Sequence, residues 1–243
     1  MKLLLGLLFS IFVIGCGEDV EHKTSISGIH SWENYHWART SNPFTLKLRD
    51  NVSIFWDGFL NDASYDWNIS SVLDTIVVPN TKKGCRTSLG TVTICNAKYG
   101  NVGWLGIAQI WISGDHITQG LVKMNDSYFN TSTYNSPEWR RFVMCQEIGH
   151  TLGLDHQDED FNNTPLGSCM DYTNDPILNQ HPNTHDYEEL EIIYEHLDET
   201  TTLASSILGG SNWGELISSN EKSKIHIICN NEECLITHVL EVE

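Results

Sequence analysis

Apolar residues recur along this chain in two periods. "FTLKLRD", from Phe44, alternates apolar and polar positions and predicts a strand. "FWDGFLNDASYDWN" places Phe55, Phe59, Ala63 and Trp67 at helical spacing. "SVLDTIVV" reads as a strand, "GCRTSLGTVTICNAKYG" as a hairpin-like excursion, and "WLGIAQIWIS" and "GLVKMND" as two further strands. "NSPEWRRFVMCQEIGHTLG" then predicts a helix. Ser136 suits its N-cap, Pro137 its first position and Glu138 its first turn. It runs to about Leu152, where Gly153 can end it in a left-handed conformation. A loop over 157–183 is rich in Asp, Asn and Pro, and a second helix is expected over 184–198. "ETTTLASSILGGSN" reads as a linker, and "KIHIICNNEECLITHVLEV" as a closing hairpin. Strands alternating with helices argue for an α/β or α+β domain with a mixed sheet.

The ends carry a different signal. Lys2 precedes the apolar run "LLLGLLFSIFVIG", too short for a comfortable membrane span, and the run ends in "VIGC". That ending resembles a bacterial lipobox, which implies a signal peptide over 1–15, cleavage before Cys16 and a lipid on its thiol. An ordinary secretory signal beside a chance cysteine is the plainer alternative. Residues 16–43 then form a tether, in which His30, Trp32 and Trp37 are candidates to pack on the domain. The expected domain covers 44–199, and 200–243 form the linker and hairpin tail.

The formal net charge of −18 speaks against nucleic acid and anionic membrane surfaces as partners. Contact with a membrane is expected only through the anchor on Cys16. Of the seven cysteines, setting Cys16 aside leaves six, an even number in an exported chain. Proximity suggests Cys85–Cys95, Cys145–Cys169 and Cys229–Cys234.

The chemistry concentrates in "VMCQEIGHTLGLDHQDE". Residues four apart share a helix face, so Gln146 and His150 point the same way, with Glu147 about 100° round. The break at Gly153 lets His156 return toward the same point. Three donors beside a carboxylate are what catalytic zinc requires: one position stays open for water, and the carboxylate takes the proton.

"QEIGHTLGLDH" resembles the H-E-x-x-H-x-x-G-x-x-H signature of the metzincin metallopeptidases, with Gln146 in place of the first histidine. "GSCMDYTND" downstream resembles the methionine turn of that family, with Met170 as the methionine and Tyr172 completing an M-x-Y like that of astacins and serralysins. The resemblance covers about 44–199. It implies a zinc endopeptidase with Gln146, His150 and His156 around Zn2+, Glu147 as general base and Tyr172 touching the metal or steadying the transition state. It also implies that 104–113 is an edge strand to which a peptide or protein substrate adds, and that a helix follows the methionine turn. A Cys145–Cys169 bridge would clamp the active helix to that turn.

Gln146 leaves two readings open. Its amide oxygen is a weaker zinc donor than imidazole nitrogen, and its NH2 would need an acceptor behind it. A catalytically inactive module that binds peptides along 104–113 is the other reading. Cys145 and His116 are residues that could replace the missing ligand. "DHQDEDFNN" is acidic enough for Ca2+ but has no fixed ligand spacing and reads as a solvated loop.

Overall fold

The computed structural model describes residues 30–80, 84–201, 213–230 and 233–242. The expected signal segment, Cys16 and the tether up to residue 29 lie outside them, as does most of the linker. The strands are β1 (His36–Trp37), β2 (Phe44–Asn51), β3 (Leu73–Pro79), β4 (Thr91–Ala97), β5 (Trp104–Ser113), β6 (His116–Asn125), β7 (Glu215–Ser219), β8 (Ser223–Cys229) and β9 (Glu233–Glu241). The helices are α1 (Asp57–Trp67), α2 (Asp126–Phe129), α3 (Pro137–Thr151) and α4 (Thr184–Ile193).

Among the described residues, the nine strands make one mixed sheet of order β3-β2-β4-β6-β5-β9-β8-β7, with β1 paired to β6. The β3, β2, β4 and β6 pairings are parallel, whereas β5, β9, β8 and β7 pair antiparallel. The fold is therefore α+β with a mixed sheet.

Alternation on β2 buries Leu46 and Leu48. On α1, Leu60, Ala63, Ser64 and Trp67 turn inward at helical spacing. Trp67 is fully buried and donates its indole N–H to the Cys145 carbonyl at 3.3 Å, locking α1 to α3. Truncating such a side chain costs roughly 3–5 kcal/mol.

Two expectations need correction. The stretch from Gly84 to Gly100 holds a single strand, β4, and not a hairpin. "TVTIC" is buried throughout and lies between two parallel neighbours, β2 and β6, so its threonine positions are covered as well as Val92 and Ile94, and its partners come from elsewhere in the chain rather than from a hairpin return. The last helix stops at Ile193, short of 198. Arg39 is buried there and donates to the carbonyls of Tyr194 and His196, taking up oxygens that further helix would have used.

Disulfides join Cys85 to Cys95, Cys145 to Cys169 and Cys229 to Cys234, with Cα separations of 5.9, 5.9 and 4.1 Å. Bonds of this kind persist in oxidising, extracytoplasmic surroundings. Among the described residues, no helix is long and apolar enough to cross a membrane.

The N-terminal stretch packs on the domain. His36 and Trp37 pair with His116 and Ile117, and Ser31 bridges to Leu154. The C-terminal strands join the same sheet, and β9 runs along the whole length of β5.

Candidate metal centre

Helix α3 carries the centre and packs across β5 and β6. The Ser136 hydroxyl accepts from the Trp139 N–H at 3.3 Å, and Pro137 stands at the first helical position. At the other end Gly153 has φ +104°, and a Cβ there would collide with the Tyr35 carbonyl. The chain turns there and brings His156 back against His150, with ring centroids 4.5 Å apart.

His150 points Nδ1 at the Leu154 carbonyl, 2.9 Å away, which fixes that nitrogen as the donor and leaves Nε2 as a buried atom without a partner. His156 has Nδ1 3.2 Å from the Asp155 carboxylate, and its Nε2 is likewise buried and unpartnered. Burial pushes the His150 pKa well below its ordinary value and the His156 pKa down to about 4, so both rings are neutral near pH 7 with lone pairs available.

Gln146 donates its amide N–H to the Cys169 carbonyl at 3.1 Å, while Oε1 is buried with no partner. Glu147 is fully buried; desolvation raises its pKa, and its Oε1 has no partner. A Cβ on Gly106 of β5 would stand 2.5 Å from Glu147 Oε1, so the carboxylate occupies space that only glycine leaves. Met170 lies beneath the helix, where a Cβ on Gly149 would meet its sulfur at 2.5 Å. The Met170 N–H donates to Ser168 Oγ, whose hydroxyl donates to Asp186 of α4. The Tyr172 ring stacks on His156 with centroids 3.9 Å apart. His150, His156 and Tyr172 thus lie ring against ring, while the Cys145–Cys169 bridge and the Gln146–Cys169 hydrogen bond tie α3 to the turn that carries Met170.

Neither residue considered as a replacement ligand is available. Cys145 is in the disulfide. His116 lies with His36 and His196 around Asp198, 3.0 Å from its carboxylate. The acidic stretch after His156 turns its carboxylates on itself: Asp158 and Asp160 accept the N–H groups of Asp160 and Asn162.

The residue that completes the cluster is His238 of β9. Potential ligand atoms of His150, His156 and His238 lie within 4.8 Å of one another. His238 Nδ1 is 3.2 Å from Glu147 Oε2, and Nε2 is 3.4 Å from the Tyr172 hydroxyl and 3.2 Å from Ser223 Oγ. One signal for it was present in the sequence. In "LITHVLE", Ile236, His238 and Leu240 share a strand face, so a histidine stands where an apolar residue is expected.

Trp32 closes the remaining side, with its indole stacked on His150 at 5.0 Å and 1°. Exposure of His150, His156 and His238 is 0%, 6% and 0%.

The unpartnered buried atoms are a test of whether these residues suit a cation. Oε1 of Gln146, Oε1 of Glu147 and Nε2 of both His150 and His156 would each cost about 1–3 kcal/mol if left unsatisfied. Neutral imidazoles suit zinc, and the Gln146 amide oxygen is the weaker donor of the set.

No family model matches the chain, and no curated protein matches it. A solved structure that resembles it is that titled "Crystal structure of myroilysin", with 13% sequence identity and a TM-score of 0.36, over 65% of this chain and 86% of that one.

Proposed function

We propose that the chain is a zinc-dependent endopeptidase of metzincin type, exported and anchored through Cys16, that hydrolyses peptide bonds in protein substrates. The observation that carries this reading is the gathering of ligand atoms of His150, His156 and His238 within 4.8 Å of one another beside the buried Glu147 carboxylate, with Gln146 Oε1 buried and unpartnered one helical turn before His150. The anchor rests on the sequence alone, on the "VIGC" that ends the apolar run.

Gln146, His150 and His156 would hold the zinc. When bound, zinc would supply Lewis acidity that lowers the pKa of water to about 7 and polarises a carbonyl. Glu147 sits where its carboxylate can take the proton of the attacking water as the C–O bond forms. It then delivers that proton to the amine nitrogen as the C–N bond breaks. Its raised pKa suits it to both roles. Tyr172 is a phenol held in neutral form by burial, able to donate a hydrogen bond to the developing oxyanion. The amide of Gln146 is oriented by the Cys169 carbonyl, which turns its oxygen away from that bond.

An inactive module that binds peptides along β5 is less well supported. It leaves the buried, unpartnered oxygen of Glu147 without a reason.

The test is zinc content together with hydrolysis of unfolded casein, in the natural chain and in a His238→Ala variant. The reading expects hydrolysis in at least one of them, abolished by chelation and by Glu147→Gln. Zinc bound without hydrolysis in either protein would overturn it.

A further inference from the structure

Strand β9 lies along β5 through nine residue pairs, from Trp104↔Glu241 to Ser113↔Glu233. On its other side β5 is paired to β6 from Gly106 to Ser113. The strand expected to receive a substrate therefore has no free edge, and the segment occupying it belongs to the same chain. His238 pairs opposite Ala108. Ala108 and Gly106 lie on the face toward α3, and their small size leaves room for an imidazole over Glu147.

The plain alternative is a core histidine satisfied by Glu147, Tyr172 and Ser223. That account explains His238 but not its surroundings. The three imidazoles crowd together, with His238 centroids 4.1 Å from His150 and 4.8 Å from His156, while His150 and His156 keep unpartnered nitrogens. Potential ligand atoms of the three rings lie within 4.8 Å of one another, and Nε2 of His150 and of His156 is buried there with no hydrogen-bond partner. A cation at their centre satisfies all of them at once.

We propose that His238 is a fourth ligand of the metal held by Gln146, His150 and His156, and that β9, which carries it, fills the place of the peptide substrate and holds the chain latent. This deepens the reading of the site as a zinc endopeptidase and rests on it. Four protein donors close a tetrahedral site, the pattern of structural zinc, whereas catalytic zinc keeps one position open. Both ring nitrogens of His238 face hydrogen-bond partners, so ligation exchanges one of those bonds for the metal. The same ring sits on Glu147, so the residue that closes the metal site also engages the base. Activity then requires β9 to leave β5, with Gln146, His150 and His156 retaining the metal.

The experiment replaces zinc with cobalt(II), whose visible absorption reports ligand number and type, in the full chain and in His238→Ala, with His150→Ala as the baseline for this site. Metal affinity is measured against a chelator of known strength, and casein hydrolysis is followed on the zinc forms. His238→Ala should still bind metal, with affinity lower by roughly ten- to a hundred-fold. Its cobalt spectrum should change and be restored by added imidazole, and hydrolysis should rise at least ten-fold over the natural chain. If His238→Ala does not fold, as judged by near-ultraviolet circular dichroism, His238→Leu takes its place; it fills the buried position without offering a ligand and should show the same spectral change and gain. An unaltered spectrum and affinity in the substituted chain would show that His238 is not a ligand. A changed spectrum with no gain in hydrolysis, in a natural chain that is already active, would remove the latency. Failure of every protein to bind metal would overturn the endopeptidase reading itself.

Discussion

His238 Nδ1 lies 3.2 Å from Glu147 Oε2, although 91 positions separate the two residues in sequence. Both are fully buried. A carboxylate drawn from water needs a partner, and here the partner comes from the last strand of the sheet.

Glu147→Gln, made in the His238→Ala chain, is expected to keep metal content near that of its parent while lowering hydrolysis by about 10²–10⁴-fold, the usual contribution of a general base. His150→Ala should instead lose the metal. Metal analysis of the dialysed proteins beside a casein assay separates these outcomes. Full activity in Glu147→Gln would remove the carboxylate from the mechanism.

Gln146→His should raise zinc affinity by roughly 10–100-fold and Gln146→Ala should lower it, because imidazole nitrogen is the better donor and alanine none. Hydrolysis at saturating zinc need not follow, since the Cys169 carbonyl is placed to receive an amide. Competitive chelator titration reads both. Equal affinity in the natural chain and Gln146→Ala would exclude Gln146 from the ligand set.

Gly106→Ala would put a methyl 2.5 Å from Glu147 Oε1 and 2.7 Å from Val143 Cγ1. A displaced carboxylate or a shifted strand should cost about 1–3 kcal/mol, as overpacking does, and should weaken hydrolysis more than metal binding. Thermal melts paired with zinc titration test this. An alanine variant as stable and active as the natural chain would mean that β5 has slack at this point.

Asp186 supplies the pH dependence. Burial raises its carboxyl pKa from 3.8 to about 6, against hydrogen bonds from Ser168 and the Asn183 N–H. His185 and His30 face it, with His30 Nε2 at 3.8 Å. The folded chain holds a proton there between pH 3.8 and 6 that the unfolded chain has released. Stability therefore falls as pH rises through that window, by about 3 kcal/mol in all. Asp186→Asn should thus be more stabilising at pH 7.5 than at pH 4, measured by thermal melts at both. A gap between the two proteins that does not grow with pH would place the carboxyl in its ordinary range.

Local features were legible in the sequence because local rules produce them. Ser136 and Pro137 start α3, Gly153 ends it, and the four-residue spacing fixes where Gln146 and His150 point. The cysteine pairs were close enough in sequence to guess. The pairing of β9 with β5 was not legible: strand partners distant in sequence leave no periodic mark, and β5 reads the same whether its edge is open or covered. The alternation of "TVTIC" is common to a hairpin arm and a parallel strand, so the pairing of β4 with β2 and β6 leaves no mark in it.

The pairing of β9 with β5 also sets an order of events during synthesis. Helix α3 and His156 leave the ribosome long before His238 does, so the nascent chain carries Gln146, Glu147, His150 and His156 without the ring that packs on them. Contacts spanning so much sequence form late. A chain stalled or truncated before residue 238 would present an uncovered cluster to its surroundings, and only synthesis through β9 would cover it.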